Sequence, residues 1–317
     1  MKHAIFAMSA AVATAIAGPA ISQDTTEVAW GGSNPGGVMY YMVGVAGTEL
    51  GKDLPEINIT QVTTGGSTEN AKRLIKGELD MGIVYGSHVY MSQTPEGPFA
   101  GGDKGTMLRG VAMAYEGPTY FVTLGDSGIE ELSDLADKKV ALGPPGSGTV
   151  FNCSNILKAV GLIDQIKPEM MTFADAGRAL ANGQIDAFCQ SSSPAAAVTE
   201  LAETRDIRVL PYSDEQLATI SETYPFYHTG TMPETTYKGV PATDMPYTTV
   251  YWVAHERVAE DVVKKMVAAA YDKQDALAAG HKAWGQMKPD IENFLKLGAP
   301  MHPGAEAYYR EQGQWPQ

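Results

Sequence analysis

Two cysteines, Cys153 and Cys189, are all that the 317 residues carry. They are too few for a disulfide scaffold and have no CxxC spacing, which excludes thiolate metal centres and dithiol redox chemistry. Basic residues are also scarce: 23 Lys and Arg stand against 37 Asp and Glu, a formal net charge of −14. A chain so acidic repels phosphate backbones and shows no Lys/Arg stripe to offset this, so nucleic acid is excluded as a partner. The six histidines form no HExxH or HxxxH pair, and zinc hydrolysis lacks its ligands. No segment reaches the roughly 20 apolar residues that a membrane span needs. No glycine-rich turn ends in Gly-Lys-Ser/Thr or spells GxGxxG, so nucleotide binding is disfavoured. Ser147 lacks glycine two positions away on either side, and the serine-nucleophile pattern fails with it. Neither a catalytic constellation nor a cofactor is expected.

What is present fits an exported globular protein. Hydrophobic residues make up 44% and charged residues 19%, and the length suits about two domain-sized units. Lys2 and His3 precede an apolar stretch over residues 4–17, and Ala20-Ile21-Ser22 gives the small-x-small pattern of a cleavage site. A signal peptide is therefore expected over residues 1–22, with Gln23 as the mature N-terminus. No cysteine stands there to take a lipid, so a free periplasmic protein is expected.

Beyond the leader, strand-like runs at 28–30, 57–63 and 81–85 alternate with helical patterns at 38–54 and 68–76. A second series repeats the order: strands at 139–142, 170–173 and 185–189, helices at 149–160 and 176–182. The echo is spelled out in Leu74-Ile-Lys-Gly-Glu-Leu-Asp80 and Leu180-Ala-Asn-Gly-Gln-Ile-Asp186, each a helix stopped by glycine ahead of a strand. Alternation of this kind predicts an α/β fold with two doubly wound, parallel-stranded lobes and a cleft between them. Strand-like runs at 107–115 and 119–124 cross between the lobes. A late strand at 248–254 and a long helix at 259–278 return the chain to the first. The expected division is 23–117 with 236–317 for lobe 1 and 118–235 for lobe 2.

Chemistry is expected where helices begin. Gly31-Gly-Ser-Asn-Pro-Gly-Gly37 and Gly143-Pro-Pro-Gly-Ser-Gly-Thr149 each follow a strand and open a helix, and Thr63-Thr-Gly-Gly-Ser-Thr68 is a third such start. Backbone N–H groups unpaired within the helix, backed by the helix dipole, favour a small anion at each.

The run Gly31-Gly-Ser to Gly37 with Tyr40-Tyr41 and Gly44, then Thr64-Gly-Gly-Ser-x-x-Asn70, Gly143-x-Pro-Gly-Ser-Gly-Thr149 and Gly183-x-Ile-Asp-Ala187, resembles the TAXI family of solute-binding proteins that serve TRAP transporters. The closing His302-Pro-Gly-Ala305, Tyr308-Tyr309-Arg-Glu311 and Gly313 strengthens the likeness more than any glycine-rich turn. The resemblance implies a bilobed periplasmic-binding-protein-like fold that traps a small carboxylate, an amino acid or a dicarboxylate, and hands it to a TRAP permease. A ligand-sensing module for a membrane partner is the alternative, with an enzyme on the same fold less favoured.

Taken with the helix starts, the resemblance places the carboxylate on Gly146, Ser147, Gly148 and Thr149. Gly32, Ser33, Gly37, Thr64, Gly66 and Ser67 close over its other end. Tyr40 and Tyr85 wall the cleft, and Ser87 and Ser192 lie toward the ligand's distal end, where Gly86-Ser-His88 and Gln190-Ser-Ser-Ser-Pro194 depart from the family's spelling. Arg109 is the one arginine considered as a direct carboxylate partner; His88 is read either as lining the cleft or as an ordinary loop histidine. A hinge is expected near 115–121 and at a second crossing beyond Val209. Cys153 and Cys189 stand as a disulfide or as two buried thiols. A monomer is expected.

Overall fold

The computed structural model describes residues 25–316, so the expected signal peptide and cleavage site fall outside the described residues. The chain starts with β1 (Thr26–Gly31), α1 (Val38–Leu50), β2 (Ile57–Val62), α2 (Ser67–Ile75) and β3 (Met81–Tyr85). β1 lies between β2 and β3, and all three are parallel. After α3 (Gly86–Gln93), β4 (Leu108–Pro118) and β5 (Tyr120–Leu124), the same unit recurs. Its elements are β6 (Lys139–Ala141), α4 (Gly148–Ala159), β7 (Lys167–Glu169), α5 (Phe173–Ala181) and β8 (Ala187–Gln190), again parallel with the first strand in the middle. There follow α6 (Ala196–Thr204), β9 (Ile207–Val209), α7 (Asp214–Thr223), β10 (His228–Met232) and β11 (Thr243–His255). The chain closes with α8 (Glu260–Asp272), α9 (Gln274–Gly280), α10 (Ile291–Lys296) and α11 (Pro303–Glu311).

Two sheets result, β10-β11-β3-β1-β2 with β4 also on β11, and β7-β6-β8-β5-β9. The fold is α/β and bilobed, as expected, but each sheet is mixed: β11 runs antiparallel to β3, β4 and β10, and β5 antiparallel to β8 and β9. Alternation of strand and helix dictates parallel pairing only inside each β-α-β-α-β unit. The strands that cross between lobes enter from the opposite end.

The repeated motif has one structural explanation in both lobes. Gly77 and Gly183 take φ of +69° and +68°, the left-handed value that closes a Schellman turn, with Glu78 N–H reaching Arg73 O and Gln184 N–H reaching Ala179 O. The aspartate that ends the motif then ties its strand to the central one. Asp80 Oδ2 accepts from Ala29 N–H at 2.9 Å, and Asp186 Oδ2 from Lys139 N–H at 2.7 Å.

Three expected elements differ. The strand placed at 170–173 is β7, three residues earlier at the sheet edge, where Pro168 needs no ladder partner for its missing N–H. Phe173 instead opens α5, because Thr172 Oγ1 caps Asp175 N–H at 3.2 Å. The single helix at 259–278 breaks at Lys273, and Gln274 turns its Nε2 onto the carbonyls of Trp284 and Met287. α1 stops at Leu50 rather than running to residue 54.

Thr119 alone separates β4 in one sheet from β5 in the other. Its N–H donates to Pro246 O, and its carbonyl accepts from Tyr212 Oη. The return passage runs from β9 through α7 to β10, and β10 pairs in the first sheet. The first lobe's core is built on Trp30 stacked at 4.5 Å on Trp252, with Trp284 edge-on to both and its Nε1 donating to Met42 O.

In the second lobe Cys153 and Cys189 form a disulfide that fixes α4 to β8, with Cα atoms 6.3 Å apart. Closing a loop of 36 residues restricts the unfolded chain by about 4 kcal/mol in the chain-entropy description. The double variant Cys153→Ala/Cys189→Ala is expected to melt roughly 5–15 °C lower in calorimetry. An unchanged melting temperature, or two free thiols in the denatured unreduced protein, would contradict the bond.

Candidate functional site

Three of the glycine-rich turns end at one place. Gly37, Gly66 and Ser147 are the N-cap residues of α1, α2 and α4, two from the first lobe and one from the second. The turns need glycine at particular points: Gly66 has φ +121° as α2 begins, and a Cβ on Gly36 (φ +92°) would press within 2.9 Å of Ala174 N across the cleft. Asn70 sets the first-lobe turns against each other. Its Nδ2 donates to Gly32 O at 2.8 Å and Ile83 O at 3.0 Å, while its Oδ1 accepts from Thr64 Oγ1 at 2.7 Å.

The three helix starts face a cavity lined by Ser33, Gly37, Val38 and Met39 from the first turn, Gly65 to Ser67 from the second, and Ser147 to Thr149 from the third. Tyr85, Phe173 and Ser192 complete it. No lining residue is ionic, so the site's positive potential comes from peptide dipoles, roughly half a charge per helix start. The N–H groups of Val38, Met39, Ser67, Gly148 and Thr149 have no acceptor among the described residues. Ser147 Oγ accepts from Val150 N–H at 3.1 Å as an N-cap, leaving its own proton to point at a ligand.

The cleft is shut. Glu69 N–H donates to Gly146 O at 3.0 Å, Ala197 N–H to Gly36 O at 3.3 Å, and Tyr85 Oη to Ser191 O at 2.6 Å, each from one lobe to the other. About 10 Å³ stays free, room for about one water, so seating an organic solute requires the lining side chains or the lobes to give way. Burial pushes the Tyr85 hydroxyl well above the ordinary phenol range, so it stays a donor at any working pH.

Nine residues singled out in the sequence meet here: Ser33, Gly37, Gly66, Ser67, Tyr85, Ser147, Gly148, Thr149 and Ser192. Five stand behind or beside the cavity. Gly32 and Thr64 belong to the Asn70 network, Gly146 makes the lobe-to-lobe bond through its carbonyl, and Ser87 is buried beside His88. Tyr40 lies edge-on to Tyr41 on the half-exposed side of α1, because position 40 is rotated from the cavity-facing Val38 and Met39. Arg109 is no carboxylate partner for the cleft: it pairs with Glu256 and donates to Thr106 O at the far end of β4. His88 neither lines the cavity nor lies in a loop. It is buried in α3, 2.9 Å from Thr68 Oγ1, between the rings of Phe99 and Phe151. Val38, Met39, Gly65 and Phe173 were not singled out. Phe173 was hidden by its placement at a strand end, although Thr172-x-x-Asp175 carries the signature of a capped helix start.

Residues 32–313 match the NMT1-like family. The chain belongs to this family. The run that most marks the TAXI resemblance is structural in this NMT1-like chain: His302 Nδ1 accepts from Gly304 N–H to cap α11, its Nε2–H donates to Val258 O, and Tyr309 Oη donates to Val111 O.

Among solved structures the NMT1-like chain is similar to a protein from Bordetella bronchiseptica RB50 (17% identity, 92% of this chain, 99% of that one, TM-score 0.58). It is similar to MatC from Rhodopseudomonas palustris with bound malate (15%, 92% and 97%, TM-score 0.57). It is also similar to the alkanesulfonate-binding protein SsuA from Xanthomonas axonopodis pv. citri bound to MOPS (16%, 93% and 96%, TM-score 0.52). These likenesses establish the bilobed periplasmic-binding-protein fold. Among the described residues, no helix is long and apolar enough to cross a membrane, and no group of three His, Cys, Asp or Glu is placed to hold a metal ion.

Proposed function

We propose that this protein is a periplasmic solute-binding protein that closes its lobes on a small carboxylate and delivers it to a TRAP-type permease, in the manner of the TAXI family it resembles. One observation carries the reading: three helix N-termini from both lobes meet at one cavity in which peptide N–H groups and hydroxyls are the polar functions and no side chain is charged. Such a wall recognises a compact anion and holds it without a counter-ion. It offers no carboxylate, imidazole, amine or thiol, hence no general acid–base pair, and capture without turnover is the matching activity. The anionic ligands named in two of the similar structures, malate and the sulfonate MOPS, agree with an anion site on this fold. Delivery to a TRAP permease rests on the motif resemblance and on lobe closure, which distinguishes a loaded carrier from an empty one.

A thermal-shift screen of dicarboxylates, amino acids and sugar acids tests capture. At 100 times Kd a ligand adds about 2.7 kcal/mol, or roughly 5–10 °C for a chain of this size. A screen without any shift would remove the carboxylate reading.

A further inference from the structure

The cavity wall is lopsided in hydrogen-bonding sense. Five helix-start N–H groups, those of Val38, Met39, Ser67, Gly148 and Thr149, await an acceptor. Four of the carbonyls around them already serve one donor each: Gly36 O takes Ala197 N–H, Gly146 O takes Glu69 N–H, Ser191 O takes Tyr85 Oη and Ser192 O takes Tyr120 Oη. Ser33 O and Gly65 O, also in the lining, have no donor among the described residues. Beyond Ser192 and Tyr85 lies a further donor, the fully buried Tyr115, whose hydroxyl makes no hydrogen bond of good geometry and is held protonated by burial.

Carboxylates are equally lacking. Glu69, beside the second turn, is outside the lining, binds Gly65 N–H at 2.7 Å, faces Arg73 and is 38% exposed. A ligand ammonium inside the shut cleft would meet three helix dipoles of its own sign and no anion. Buried unpaired charge is among the costliest features a complex can hold.

From this asymmetry we infer that the site selects organic anions that carry no ammonium group, and rejects α-amino acids in favour of the oxo or hydroxy acid of the same skeleton. The inference rests on the carboxylate-capture reading and narrows it. Selection arises because a keto or hydroxyl oxygen at the α-position accepts from the same N–H groups that an ammonium opposes. A hydroxyl also needs just one acceptor, which Ser or Thr oxygens supply.

Isothermal titration at pH 7.5 with matched pairs decides it: 2-oxoglutarate against glutamate, malate against aspartate, lactate and pyruvate against alanine. In the pair that binds, the oxo or hydroxy acid is expected to be about 100-fold tighter than the amino acid. A preference under tenfold, or one for the amino acid, overturns the inference while leaving carboxylate capture in place. Binding by neither member of any pair overturns both.

Discussion

Replacing Gly148 by alanine is expected to weaken ligand binding at least 100-fold while leaving the unliganded fold intact. Gly148 is the first residue of α4, where alanine is at ease in the backbone and favours the helix. The obstacle is in the other lobe. A Cβ there would overlap the Tyr85 ring and lie 2.9 Å from Ser67 Cβ. Neither can step aside easily: Tyr85 is held by its hydroxyl on Ser191 O and by its N–H on Ser67 Oγ at 2.9 Å, and both residues are fully buried. The methyl group therefore acts as a wedge that holds the cleft ajar and keeps the first- and second-lobe N–H groups from reaching one anion together. Since closure is favoured only through contacts the open state lacks, blocking it removes most of the differential affinity. Small-angle scattering should show the wild type contracting with the acid found by thermal shift and the variant keeping its radius. Wild-type affinity in Gly148→Ala would mean that binding does not require the closed cleft.

Acidification is expected to destabilise the chain through His88. Burial, assisted by the nearby Lys72 charge, lowers this imidazole from 6.5 to about 3. A folded-state value below the unfolded one means that the unfolded chain binds the extra proton between those limits, so stability falls as pH drops from about 6.5 toward 3. At 1.36 kcal/mol per pH unit the full excursion approaches about 5 kcal/mol. Glu116 acts in the opposite sense: burial raises its carboxyl to about 7, so its contribution favours the folded state at low pH and is lost as pH rises from 4.5 to 7. The wild-type profile mixes both, and a His88→Gln variant separates them. Glutamine keeps a partner for Thr68 Oγ1 and does not titrate. Unfolding free energies from denaturant titrations at pH 4.5 and 7.5 should differ less in the variant by roughly 2–3 kcal/mol, and an unchanged difference would show that His88 is already free to protonate in the folded state.

Where the sequence was informative, a local rule had no competitor. Gly77 and Gly183 stop their helices by backbone geometry alone, and the same spelling yields the same turn, strand and aspartate clamp in both lobes. The helix starts at Gly37, Gly66 and Ser147 were legible for the same reason. Their convergence was expected from the family resemblance and not from any local rule, since only the closed arrangement of lobes brings α4 to α1 and α2. Tyr40 and Tyr85 show the gap: both are aromatics at the start of a helix, yet Tyr85 lines the cleft and Tyr40 packs outside on Tyr41. Arg109 was similarly ambiguous, because the partner that claims it, Glu256, is 147 residues away in sequence. The break at Lys273 carries no Gly or Pro signal. A tertiary anchor, Gln274 on the carbonyls of Trp284 and Met287, imposes it.

The uncharged lining of the cavity has a consequence for the conditions under which the protein works. Peptide N–H groups and alcohols do not ionise between about pH 4 and 9, so on the proposed reading the lining contributes no titration of its own to capture. Affinity then follows the ionisation of the solute alone, constant wherever the carboxyl is deprotonated. His88, through which acidity acts on the scaffold, is buried outside the lining but packs on Thr68 and on Tyr85 of the lining, so an acid shock would lower the amount of folded protein and reach the wall of the cleft through these two residues.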